Sequence, residues 1–131
     1  MRNLLSYIVL LFSVFSFAQN TALADAFFEG GEYNKALTEY NKILSKQPYR
    51  TNLFIKKIKC HQELEEFQLA QTELLKKLNN KNSPPELYVE LGYNYILQND
   101  SINSKNAYNK AIAIINNSPN HARAIGQTFE K

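Results

Sequence analysis

Residues 33–48 read YNKALTEYNKILSKQP, and a step of 34 residues carries their small and bulky positions onto one another along the rest of the chain. The step takes Ala36 to Ala70 and Ser104, Tyr40 to Leu74 and Tyr108, and Leu44 to Leu78 and Ile112. Upstream of each small residue it links Phe27, His61, Tyr95 and Phe129 on one phase, and Leu23, Lys57, Leu91 and Ile125 on another. No gap is needed to keep this register. Self-similarity at a fixed period between about 20 and 50 residues marks a stacked repeat architecture, and it takes precedence over segment-by-segment assignment.

Within each period the apolar residues recur at three- and four-residue spacing, which is the pattern of helices and not of strands. The spacing predicts helices over Asn20 to Glu29 and Tyr33 to Lys46, Asn52 to Leu64 and Phe67 to Leu78, and Glu86 to Gln98 and Ile102 to Ile115. Each pair forms an antiparallel hairpin. Gly30-Gly31 supplies left-handed backbone for the stop within the first. Ser83-Pro84-Pro85-Glu86 has the Ser-x-x-Glu spacing of a capping box with proline in the first turn, and Ser118-Pro119 repeats the cap-then-proline order. Ala36, Ala70 and Ser104, together with Ala24, Gly92 and Gly126 on the first helices, allow close approach, while Phe27, Tyr40, Phe54, Phe67, Tyr88 and Tyr108 fill the space beside them. One hairpin cannot bury both of its faces, so neighbouring hairpins must stack.

The arrangement resembles the tetratricopeptide repeat, whose 34-residue unit places aromatic, Leu-Gly, aromatic, Ala, aromatic and Pro in that order. The third unit matches at its front, with Tyr88, Leu91-Gly92 and Tyr95 followed by Tyr108 and Ala111; the first matches at its back, with Tyr33, Ala36, Tyr40 and Pro48. Lys57-Ile58, Lys77 and Ser101 depart from the pattern, and two of these departures make the second unit the one expected to be most distorted. The resemblance implies an all-α, right-handed superhelical solenoid of three repeats, about 19–50, 51–84 and 85–118, plus one terminal helix in a partial fourth repeat, 119–131. Ile125 and Phe129 on that helix need cover, so the chain is expected to be the N-terminal part of a longer secreted bacterial repeat protein.

The first residues have another character. Arg2 precedes a charge-free, mainly apolar run from Leu4 to Phe17, and Ser16-Phe17-Ala18 supplies small residues before Gln19, the layout of a signal peptide over 1–18. A membrane anchor is the competing reading, but about 14 apolar residues fall short of the roughly 20 that a spanning helix needs. The remaining chain, 19–131, is expected to be exported, periplasmic or secreted, without stable membrane insertion.

With 44% apolar and 21% charged residues, the composition is that of a globular chain. Its formal net charge of +3, one less without Arg2, is too weak and too dispersed to suggest nucleic acid as a partner. Cys60 is the only cysteine, so no internal disulfide can form and packing alone must hold the fold.

The residues give no catalytic constellation, metal site or cofactor motif. His61 shares the phase of Phe27 and Tyr95, which reads as a packed position, and His61-Gln62-Glu63-Leu64-Glu65 lacks the second histidine of a helical zinc site. His121 reads as solvated. Cys60 has neither a helix start nor a suitably placed histidine to activate it. Gly30-Gly31 is followed by Glu32 and not by the lysine of a phosphate loop.

What remains is binding. In tetratricopeptide repeats the first helices line a concave groove that holds a peptide or protein, and by position this implies Asp25, Phe28, Ile55, Lys59, Gln62, Val89, Tyr93, Ile96, Arg123 and Gln127. Val89, Tyr93 and Ile96 share one helical stripe and read as an apolar patch, with Lys59 and Arg123 to either side for an acidic group. The basic groups are too scattered for a carboxylate clamp, and further repeats could cover the same patch. Three functions therefore stay open: an exported interaction scaffold, the extracytoplasmic sensing module of a longer signalling enzyme, and a structural part of an envelope assembly.

Overall fold

The computed structural model describes residues 21–118, and all regular structure among them is helical. Helix α1 occupies residues 21–29, α2 Tyr33–Lys46, α3 Thr51–Glu63, α4 Phe67–Leu78, α5 Pro85–Leu97 and α6 Ser101–Asn117. The expected ends of α2 and α4 and the last residue of α1 are met to the residue, and those of α3, α5 and α6 differ by one or two positions. Residues 1–20 and 119–131, which carry the expected leader, the fourth-repeat helix and His121, lie outside the described residues.

The 34-residue step reappears in the backbone. Gly31, Glu65 and Asn99, one step apart, all take left-handed φ values, 75°, 60° and 59°. Around each, two hydrogen bonds close the preceding helix in a Schellman arrangement. Gly31 N donates to Phe28 O at 3.1 Å and Glu32 N to Phe27 O at 2.8 Å; Glu65 N and Glu66 N donate to Gln62 O and His61 O at 3.0 and 2.8 Å. Asn99 N and Asp100 N donate to Ile96 O and Tyr95 O, both at 2.9 Å. The second repeat, expected to be distorted, thus makes the same turn as the other two.

The residue after each left-handed position is acidic: Glu32, Glu66 and Asp100. Each is the N-cap of the next helix and accepts its first backbone bond, from Ala36, Ala70 and Ser104 respectively, at 3.0 Å. A carboxylate there is favoured by the positive end of the helix dipole. The Asp100 carboxylate also accepts from Asn103 Nδ2 at 2.7 Å and from Asn103 N at 3.1 Å, and these two bonds to Asn103 hold it below the ordinary aspartate value.

The expected capping box at Ser83 does not form. Pro84 is the N-cap of α5 and carries no side-chain cap, with Pro85 the first helical residue. Ser83 lies one place too early, and its hydroxyl donates backwards to Asn80 O at 2.8 Å. Pro84 and Pro85 lack N–H groups, so fewer donors at this helix start need a cap.

The chain divides into two compact units between Cys60 and His61, inside α3. In the first, Ala24, Ala36, Tyr40, Ile43, Leu53 and Cys60 form a buried cluster, bordered by Phe27, Phe28, Tyr33, Leu37 and Leu44. Alanine at 24 and 36 leaves room for α1 and α2 to meet, and Phe28 packs edge-on to Tyr33 at 5.4 Å between ring centres. In the second unit α5 packs against both α4 and α6. Its buried groups include Ala70 and Leu74 of α4, Leu87 and Leu91 of α5, and Ser104, Ala107 and Ala111 of α6. Full burial of each large apolar side chain contributes about 1.5–3 kcal/mol.

Candidate interaction surface

The positions implied by the repeat resemblance separate into buried and open groups. Asp25 belongs to a polar knot: its Oδ1 accepts from the Tyr40 hydroxyl at 2.6 Å and from Lys56 Nζ at 2.7 Å, tying α1 to α2 and α3. Partial burial pushes the Asp25 carboxyl up. The bonds from Lys56 and Tyr40, with the charges of Lys56 and Arg50, outweigh that effect and hold it below the ordinary value. Burial and the Asp25 carboxylate push the Tyr40 hydroxyl up. Phe28 faces Tyr33 at the core edge, Ile55 is half-buried and Lys59 is exposed.

In the second unit the expected stripe narrows. Val89 is 7% exposed and packs with Ala111, Tyr88, Tyr108 and Ile115, so it is a core residue and not part of an open patch. The reason lies in α5 itself, which has α4 on one flank and α6 on the other. Spacing along one helix cannot show how wide its two neighbours leave the free strip. Tyr93 and Ile96 remain open, at 46% and 50% exposure. Gln62 is buried and donates to Asn94 Oδ1 at 3.4 Å. Arg123 and Gln127 lie outside the described residues.

Beside Tyr93 and Ile96 runs an amide network that sequence reasoning missed. Fully buried Asn94 donates to Phe67 O at 3.0 Å, reaching the first residue of α4. Gln98 donates to Gln71 Oε1 at 2.9 Å and accepts from Gln68 Nε2 at 2.6 Å. The signal available was phase: one 34-residue step places Asn94 on buried Cys60, so a polar residue there had to find partners inside.

His61 is buried, as its phase suggests, but as an ion-paired group. Nδ1 lies 2.7 Å from Glu66 Oε2 and Nε2 3.6 Å from Glu73 Oε1. Glu73 first, opposed by burial and assisted by Glu66, raises the imidazole above its ordinary value. Of the two carboxylates, Glu66 is the N-cap of α4 and Glu73 lies within that helix. Cys60 is fully buried. Among the described residues no group of three or more His, Cys, Asp or Glu side chains is placed to hold a metal ion. None of the described helices is long and apolar enough to cross a membrane.

Neither a scan against protein-family models nor a search of curated proteins finds a match to this chain.

Proposed function

We propose that the chain is a tetratricopeptide-like, exported scaffold that binds a peptide or protein through the first helices of its repeats. The observation that carries this reading is the open pair Tyr93 and Ile96 on α5, exposed beside a core packed on both flanks. The two lie three residues apart and share one helical face, the spacing with which a helix presents anchors to a partner. An aromatic ring with a polar tip and a branched aliphatic group are suited to an apolar side chain flanked by main-chain groups. The recurrence of one left-handed turn at a strict 34-residue interval supports the repeat assignment. The reading involves no covalent chemistry.

The test is cross-linking in cells with a photoreactive residue at Tyr93, compared with one at exposed Ile112 on α6. A discrete adduct from position 93, lost on Ile96→Ala and absent from position 112, supports the groove. Equal adducts from both positions, or none from 93, refute it. Fractionation of the full chain tests export separately.

A further inference from the structure

The end of α2 and the bend leading into α3 form an open cavity of about 290 Å³, lined by Glu39, Lys42, Ile43, Ser45, Lys46, Gln47 and Arg50. We propose that this cavity is an oxyanion site, taking a carboxylate or phosphate group between Lys46 and Arg50.

The charges around it do not cancel. Lys42 is paired with Glu39 at 2.7 Å, which leaves Lys46 and Arg50 as the two cations of the lining without a carboxylate. Neither forms an ion pair among the described residues, and the charge of Arg50 reaches Asp25 only at longer range. Asp25 is already engaged by Lys56 and Tyr40. Two like charges on one concave surface repel, and an anion between them relieves that repulsion, most strongly at low ionic strength.

The site is also held in place. Arg50 Nη1 donates to Gln47 Oε1 at 3.3 Å, and its backbone N donates to Gln47 O at 3.3 Å, so the bend braces the arginine by main chain and side chain together. Arg50 O accepts from Phe54 N at 3.1 Å, which places the residue at the start of α3. The remaining guanidinium donors form the planar fork suited to a two-oxygen acceptor, and Lys46 adds a point charge from the last turn of α2.

The repeat provides an internal comparison. One 34-residue step from Lys46 and Arg50 leads to Asn80 and Pro84, so neither cation recurs in the next repeat, where the connection from Leu78 to Pro85 is two residues longer. The proposal stands on this cavity alone and is independent of the Tyr93 surface.

The test uses the full chain, isotope-labelled for amide NMR, titrated separately with inorganic phosphate and with succinate at constant ionic strength. Saturable shifts confined to the amides of Lys46, Gln47, Arg50 and their neighbours are expected with at least one of the two, and the effective anion identifies the chemistry. Lys46→Asn, which copies the next repeat, should weaken binding about tenfold, while Lys105→Gln on α6 leaves it unchanged. Arg50→Gln should abolish saturation, with the unfolding midpoint measured alongside to show that the unit remains folded. Shifts that grow linearly with both anions, or that survive Lys46→Asn unchanged, overturn the proposal in favour of ordinary counterion screening.

Discussion

The ring of Tyr108 lies directly over Gly92: a Cβ built on that glycine would stand 2.9 Å from both Cε1 and Cζ and 3.0 Å from Cδ1. Contacts that short require α5 and α6 to move apart or the tyrosine to leave its position. In an open helix, alanine would improve on glycine by about 1 kcal/mol. Overpacking costs about 1–3 kcal/mol, so the clash wins and Gly92→Ala should lower stability by urea unfolding. Gly92→Ala combined with Tyr108→Ala should cost less than the sum of the two single changes, because the second removes the obstacle. Strict additivity would show that the ring and the glycine are not coupled.

Glu65 occupies a left-handed position where its repeat counterpart is Gly31. A residue with a Cβ costs about 1–2 kcal/mol in that conformation, whereas glycine adopts it freely. Glu65→Gly should therefore raise the unfolding midpoint, even though glycine gives the unfolded chain more freedom. Asn99→Gly should gain less, because asparagine tolerates left-handed backbone. The reverse change, Gly31→Ala, should be destabilising. If Glu65→Gly lowers the midpoint instead, its side chain contributes something that the backbone geometry does not reveal.

The raised pKa of His61 makes the stability of the second unit depend on pH. The folded imidazole binds its proton more tightly than the unfolded one, whose ordinary value is 6.5. The added stability is fully present below that value and disappears as pH rises through the folded value. Glu73→Gln removes the largest contribution to the shift, so the gap in unfolding free energy between wild type and variant should be widest on the acid side of 6.5 and close toward alkaline pH. Direct titration of the imidazole by NMR should show its pKa falling in the variant. A gap independent of pH would place the role of Glu73 in packing and not in charge.

Much of the helical layout was legible because the apolar residues of α2 and α4 recur at three- and four-residue spacing and that periodicity stops where each helix ends. The turns were only partly legible. Gly31 advertises a left-handed residue, but Glu65 and Asn99 take the same conformation without that signal, and they are recognised only by carrying Gly31 forward 34 places. The candidate surface was harder to read. Val89 and Tyr93 are one helical turn apart, yet α6 covers the first and leaves the second open, a difference set by a neighbouring helix. Asp25 was assigned outward for the same reason: nothing in α1 indicates that Tyr40 and Lys56 converge on its carboxylate. The charge at Lys46 and Arg50 was visible as residue types, but the cavity between them required the bend at Gln47.

The Asp25 knot should dominate the acid response of the first unit. Its folded pKa lies below the 3.8 of an unperturbed aspartate, so the stability it contributes is complete above that value and is lost as pH falls through the folded value. Tyr40→Phe keeps the buried ring and removes only the donor at 2.6 Å. Hydrogen bonds to charged groups contribute about 1.5–3 kcal/mol, which sets the expected loss at neutral pH. Once Asp25 is protonated its oxygen is a weaker acceptor, so the loss should shrink in acid, and the folded Asp25 pKa should be higher in the variant. Urea titrations of both proteins at neutral pH and at successive acid values supply the comparison. A penalty unchanged from neutral pH to full protonation would mean that the hydroxyl serves the buried ring and not the carboxylate, leaving Lys56 as the group that holds Asp25 ionised.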